Sequence, residues 1–211
     1  MKRWMLLAFI ALLGSVSTLS SANTPLKDSE FVYARLRYHL TDDAWRVNEV
    51  PWHHDFPYGD EMFPSVLTES TNVQTSRSSH QIVDIDSREL FKYPFAYLCE
   101  PGFLELTPED VKNLREYLDR GGFLLVDDLR TATSSRYKGG GPEDDIGHFR
   151  DEMRKVYPDR DFARLSLSDT VFHSFFDIDS LDMAAPYIFP GQDAASFYGL
   201  RDPRGNLLIP L

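Results

Sequence analysis

Carboxylate and imidazole side chains in this chain follow two predicted buried strands and cluster in one aromatic loop. The candidates that could meet in space are Glu100, Asp127, Asp128, His148 and the adjacent group His53, His54 and Asp55. Because loops after parallel strands gather at one edge of an open α/β sheet, these side chains could converge there and suit a divalent metal. However, no pair has a recognised ligand spacing such as HExxH, and adjacent histidines point in different directions on any regular backbone. The spacing therefore predicts neither a metal site nor a cofactor.

Asp127 and Asp128 allow two interpretations. A hydrolase could use either carboxylate together with His148, with or without the help of a metal. Alternatively, the two aspartates cap the segment that follows and form a salt bridge to Arg130 or Arg35. We favour the non-catalytic interpretation, and the hydrolase is the alternative.

Cys99 is the only cysteine of the chain. It is followed by Glu100 and Pro101, without the small residues that allow a nucleophile to occupy a sharp turn after a strand. We therefore expect a buried, unreactive thiol. With one cysteine no internal disulfide can form, so the fold depends on its apolar core.

Arginine and aromatic side chains could line a cleft for a polar ligand or a peptide, because they are the usual anchors of binding surfaces. Those that could form its wall are Tyr33, Arg35, Arg37, Tyr38, Trp45 and Trp52. The tryptophans could equally well only cover the edge of the core. The resulting ligand-binding candidates are Arg35, Tyr38, Trp52, His53, Glu100 and Arg130.

The stretch from Leu106 to Arg130 predicts the elements that position the aspartates. Thr107 can cap a helix, and Pro108 suits the first helical position. Gly121 can adopt the left-handed conformation that ends a helix, and the apolar run that follows is typical of a strand covered on both faces. Asp127 and Asp128 then lie where this strand leaves the sheet.

Other segments show similar periodicity. Strands are predicted over 31–38, 80–85, 93–99 and 163–167, helices over 58–71 and 142–157, and a closing hairpin over 196–211. The order favours an α/β fold with a three-layer, doubly wound, mostly parallel sheet of the flavodoxin type, as a single domain over residues 30–211.

The first residues predict export. Lys2 and Arg3 precede an apolar run that ends in small residues, which is the pattern of a signal peptide over 1–22, cleaved near Ala22, with a loose leader over 23–29. We therefore expect a periplasmic or secreted protein without a membrane span in the mature chain. The net charge of −11 excludes nucleic acid and anionic lipid as natural partners, because both would repel it.

Four stretches carry a family resemblance. FVYARLRY, ELFKYPFAYLCEPGF, LTPEDVKNLREYLDRGGFLLVDD and HSFFDI occur in this order and resemble the bacterial family called domain of unknown function 4159. The resemblance implies a relative of the class I glutamine amidotransferase fold. It also implies an exported domain, or one attached to membrane-anchored domains near MoxR-type ATPase genes, and hence a partner in a membrane-associated complex.

The amidotransferase enzymes place a cysteine on the sharp turn after a strand, with a histidine and a glutamate further along the chain. Here Asp127 and Asp128 occupy the corresponding turn, and no such triad is recognisable. We therefore expect a non-catalytic domain that binds a partner protein or a small ligand at the carboxyl edge of the sheet.

Overall fold

The computed structural model describes residues 30–42, 44, 49–129, 145–181 and 196–211. The predicted signal peptide and leader, the candidate wall residue Trp45 and the binding candidate Arg130 lie outside the described residues. Among the helices that are described, none is both long enough and apolar enough to cross a membrane.

A parallel sheet forms the centre of the fold. In chain order the strands are β1 (Tyr33–Arg37), β2 (His39–Leu40), β3 (His80–Asp84), β4 (Phe95–Cys99), β5 (Leu104–Glu105), β6 (Phe123–Asp127), β7 (Ala163–Arg164), β8 (Tyr198–Arg201) and β9 (Leu207–Pro210). The four parallel strands lie in the order β3-β1-β4-β6, β2 pairs with β5, and β7, β8 and β9 form an antiparallel sheet. The predicted α/β class is therefore confirmed.

Three helices cover the two faces of the parallel sheet. They are α1 (Tyr58–Ser70), α2 (Pro108–Asp119) and α3 (Asp145–Val156). On one face, α2 and α3 pack their apolar side chains against alternate residues of the strands, such as Leu36 and Leu98, to form the main core. On the other face, Phe63 of α1 packs against the rings of Tyr33 and Phe95, with centroids 5.3 and 5.5 Å apart.

The segment around α2 folds as its local sequence predicts. The hydroxyl of Thr107 accepts from the amide of Asp110, whose carboxylate accepts in return from the amide of Thr107, so both residues form a capping box. At the other end, Gly121 has a φ of 94°. The amides of Gly121 and Gly122 donate to the carbonyls of Leu118 and Tyr117, which is the Schellman pattern. The predicted helix, glycine stop and buried strand are confirmed.

Two predicted elements differ in detail from what local sequence rules favour. The helix over 58–71 is confirmed to within one residue, and it contains a proline that local sequence rules disfavour: Pro64 is buried inside α1, where it removes one helical hydrogen bond. The strand predicted over 163–167 shortens to β7 because the amide of Ser166 donates to the carboxylate of Asp169 at 2.6 Å, which starts a turn. The closing hairpin is confirmed as β8 and β9.

Candidate functional site

The carboxyl ends of β1, β4 and β6 form the edge at which the predicted side chains were expected to meet. In the order β3-β1-β4-β6, the connection that leaves β1 leads to β3 on one side of it, whereas the next connection leads from β3 to β4 on the other side. The direction of the connections therefore changes between β1 and β4. In open α/β sheets such a point leaves a crevice where ligands bind. The loop over 49–57 and the turn after β6 lie at this edge.

A buried ion pair holds together the elements that form the carboxyl edge of the sheet. Arg35 of β1 and Asp60 of α1 are 1% and 0% exposed, and Nε and Nη2 of Arg35 both donate to the Asp60 carboxylate. The remaining nitrogen, Nη1, donates to the carbonyl of Trp52 at 3.1 Å and to Sγ of Cys99 at 2.9 Å. Arg35 thus ties together β1, α1, β4 and the turn Pro51–His53. Its donors are satisfied within the protein, so it positions the edge and does not contact a ligand.

Cys99 is a buried thiol, as its sequence context predicts. Its side chain is 1% exposed, and burial raises its pKa to about 12, although the Arg35 guanidinium opposes this shift. Besides Arg35, its sulfur approaches only the carbonyls of Pro51 and Trp52, both at 3.5 Å, among the described residues. A thiol that is neutral and surrounded by carbonyls is not an activated nucleophile.

Three of the residues that the sequence suggested could converge do lie close together. One potential ligand atom from each of His54, Asp55 and Asp128 lies within 4.8 Å of the other two. Nδ1 of His54 lies 2.7 Å from the Glu49 carboxylate, and Nε2 lies 3.8 Å from Oδ2 of Asp55. Asp55 and Asp128 have φ angles of 58° and 60°, a left-handed conformation that Asp adopts more readily than most residues. We call these three residues the edge cluster.

The two aspartates after β6 have different surroundings. Asp127 is exposed, and its carboxylate accepts from the amide of Asp128 at 2.8 Å and lies 3.4 Å from the hydroxyl of Tyr97. Asp128 is half-buried. Burial and the neighbouring Asp127 raise the pKa of Asp128 to about 6, although His54 lowers it. The charge on Asp128 is therefore costly unless a cation lies near it.

The sequence of this protein matches one family. A model of the family described as Domain of unknown function (DUF4159) covers residues 32–208. The chain belongs to this family. No curated protein matches this DUF4159 chain.

Four further binding candidates of the DUF4159 domain have structural roles or surface positions. Tyr38 is buried, and its hydroxyl lies 2.9 and 2.7 Å from the carbonyls of Cys99 and Glu100, so it holds the exit turn of β4. Glu100 has a φ of 50° in that turn. Trp52 is half-buried against the core, and His53 is exposed between the rings of Trp52 and Phe56. Trp52 and His53 directly precede His54 of the edge cluster in the chain.

His148 does not join the aspartates in the DUF4159 domain. It lies on α3, and its Nε2 is 2.7 Å from the carbonyl of Leu104, on the face of the sheet that α2 and α3 cover. The predicted pairing of His148 with Asp127 or Asp128 is thus not formed. His54, which the sequence analysis named only as one member of a wider group, is the histidine that approaches Asp128.

Cavities lie at both ends of the parallel sheet in the described part of the DUF4159 domain. One of about 380 Å³ is at the carboxyl ends of β1 and β3, and its polar lining includes Arg37, His39, Trp52 and Asp86. The other, of about 500 Å³, lies at the opposite end of the sheet beside Gly122. Since ligands bind at the carboxyl ends of parallel strands, the smaller cavity is the relevant one.

Asp60 and Glu49 were missed by the sequence analysis. Asp60 lies in the first turn of α1, where an acidic residue needs no further explanation than the helix dipole. Glu49 lies in a polar loop without periodicity. No sequence signal could have paired either residue with its partner, because both pairings depend on the folded path of the loop over 49–57.

Proposed function

We propose that this DUF4159 domain is a non-catalytic module that binds a small polar ligand at the carboxyl edge of its parallel sheet. The observation that carries the proposal is the convergence of His54, Asp55 and Asp128, which come from two separate segments at the carboxyl edge of the sheet. A polar cavity at the same edge includes Trp52, two residues before His54, in its lining. Binding sites are recognised by a few convergent polar groups in a concave surface. The fold would be of the flavodoxin type, since β1, β3, β4 and β6 follow its strand order and β9 lies next to β6.

Among the residues that the structure describes, the candidate catalytic groups at this edge are not arranged as covalent catalysis needs. Cys99 is buried and accepts a hydrogen bond from Arg35, and His148 is held on the opposite face. A nucleophile must have a base within hydrogen-bonding reach, and an acid–base pair must share one site. Binding is therefore favoured over the hydrolase that uses Asp127 or Asp128 with His148.

Amide mapping by nuclear magnetic resonance tests this proposal. A library of small carboxylates, phosphates, amines and sugars is added to labelled protein, with and without added Zn²⁺. We expect hits that shift the amides of residues 52–55 and 127–128. Hits confined to the cavity beside Gly122, or turnover of glutamine, ester or glycan substrates that Asp128→Ala abolishes, would refute it.

The exported location is part of the proposal, and the pattern of residues 1–22 supports it. We propose that the mature domain works in the periplasm or outside the cell, with a membrane-associated complex as its setting. Cell fractionation followed by sequencing of the mature amino terminus tests this. A full-length chain that starts at Met1 in the cytoplasmic fraction would contradict it.

A further inference from the structure

The ligand atoms of the edge cluster are slightly further apart than the ligand atoms of a bound metal ion. Nε2 of His54 is 3.8 Å from Oδ2 of Asp55, which is too long for a hydrogen bond. Two ligands that are each about 2.1 Å from a tetrahedral zinc ion are about 3.4 Å apart. The imidazole and the carboxylate therefore need to move by only a few tenths of an ångström, and Asp128 must approach by no more than a further ångström or so.

A second carboxylate orients the histidine. Glu49 accepts from Nδ1 of His54 at 2.7 Å, so Nδ1 carries the proton and the lone pair of Nε2 faces Asp55. Most histidines that bind metals donate their other ring nitrogen to a carboxylate or carbonyl in this way, which fixes the tautomer and the ring plane. Among the described residues, Nε2 of His54 has no hydrogen bond.

His173 provides an internal contrast. Its Nδ1 also lies beside a carboxylate, that of Asp177, and its exposure of 36% is similar to the 30% of His54. However, Nε2 of His173 lies 2.6 Å from the carbonyl of Leu167 and has no lone pair to offer. The two histidines differ in whether Nε2 is free to bind an ion.

The local charge favours a cation. Asp55 and Asp128 bring two carboxylates together, and Asp127 adds a third next to them. Arg35, a buried positive charge at the same edge, is already neutralised by Asp60. A divalent cation would balance the two carboxylates of the edge cluster.

We propose that His54, Asp55 and Asp128 bind a divalent transition-metal ion, with Glu49 as the residue that positions His54. The imidazole selects an ion of the Zn²⁺ type over Mg²⁺ and Ca²⁺, which prefer oxygen ligands alone. Three protein ligands leave coordination positions open for water or for a bound molecule. The inference rests on the proposed function, because it names the component of that site to which a small anionic ligand would bind.

The test uses the full mature chain without a histidine tag, treated with chelator and then dialysed. Zn²⁺ is titrated by calorimetry, and Co²⁺ is titrated by visible absorption, which reports ligand geometry. We expect one ion per chain. Glu49→Gln should weaken binding by about 10- to 100-fold, and His54→Ala and Asp128→Asn should weaken it further, because each removes a direct ligand. His173→Ala is the matched control and should bind as tightly as the original protein.

Thermal melts of the chelated variants show whether each one is folded, and Asp55→Asn replaces any variant that is not. Equal affinity of His54→Ala and the original protein would overturn the metal site, since surface histidines alone would then explain the binding. Absence of Zn²⁺ and Co²⁺ binding up to millimolar concentration would also overturn it. In either case, the proposed function would still stand if a small molecule without metal shifted the amides of residues 52–55 and 127–128. If no small molecule shifted these amides either, both the metal site and the proposed function would be refuted.

Discussion

Removal of Arg35 is the most direct test of how the edge is built. Arg35→Met keeps a side chain of similar length in β1 but leaves the carboxylate of Asp60 buried without a partner, at 0% exposure. It also removes the donor to the carbonyl of Trp52. Breaking one side of a buried ion pair costs about 3 to 5 kcal/mol of unfolding free energy. That is a large share of the roughly 5 to 15 kcal/mol that stabilises a typical domain.

The double variant Arg35→Met with Asp60→Leu separates the ion pair from simple loss of packing. Replacing a buried pair by apolar side chains of similar volume is often close to neutral. We therefore expect the double variant to lose less stability than either single variant, with a coupling free energy of about 3 kcal/mol or more. Urea unfolding followed by circular dichroism at pH 7.5 measures all four corners of the cycle.

Arg37 supplies the control for this cycle. It lies two residues further along β1 and pairs with Asp84, but the two side chains are 50% and 42% exposed. Exposed pairs contribute less than about 1 kcal/mol, so Arg37→Met should change the unfolding free energy by no more than that. The reasoning would be refuted if the losses of unfolding free energy in Arg35→Met and Asp60→Leu simply added up in the double variant. It would also be refuted if Arg35→Met were as stable as Arg37→Met.

Three more predictions follow from single sites. Cys99 should not react with a disulfide reagent in native buffer at pH 8, because it is buried with a pKa of about 12; stoichiometric labelling within minutes, measured by absorbance, would contradict this. In chelated protein Asp128→Asn should stabilise the fold by about 1 to 2 kcal/mol at pH 8 but not below pH 4. The folded pKa of Asp128, about 6, is raised above its ordinary value of 3.8, so the cost of its charge is absent at low pH and grows as pH rises between these values. Urea unfolding at the two pH values measures the difference, and an equal effect at both would disprove it. Gly122→Ala should destabilise by about 3 kcal/mol, since its Cβ would lie 2.4 Å from the ring of Tyr117. Gly121→Ala, which strains only a φ of 94°, should cost about 1 kcal/mol; thermal melts of the two variants compare them, and equal losses would count against the steric explanation.

Local features of this fold could be predicted from the sequence because their causes lie within a few residues. The capping box of Thr107, the glycine that ends α2 and the buried run of β6 each depend on neighbours along the chain. The position of Asp127 and Asp128 at the carboxyl edge follows from these, because a strand that starts after a glycine stop must end where its apolar run ends. The sequence alone therefore locates this part of the site.

The rest of the site could not be predicted, because its partners are far apart in the chain. Arg35 was considered as a cleft-wall residue or as a partner of Asp127 or Asp128, since nothing near it signals a buried carboxylate; Asp60 is 25 residues away. His148 was grouped with the aspartates by the rule that loops after parallel strands share an edge. That rule does not apply to a residue on a helix, and α3 packs His148 onto the opposite face.

The edge cluster depends on the registers of two neighbouring strand pairs. Cys99 of β4 pairs with Asp127 of β6, which places the exit of β6 beside the exit of β4. Arg35 of β1 then connects Cys99 to the carbonyl of Trp52, two residues before His54. A slip of one residue in β6 would exchange the faces on which Asp127 and Asp128 lie and would remove Asp128 from His54. Cys99 and Arg35 therefore have an indirect role in the proposed metal site. They hold the segment that contains His54 and Asp55 near the segment that contains Asp128, and they do not contact the ion.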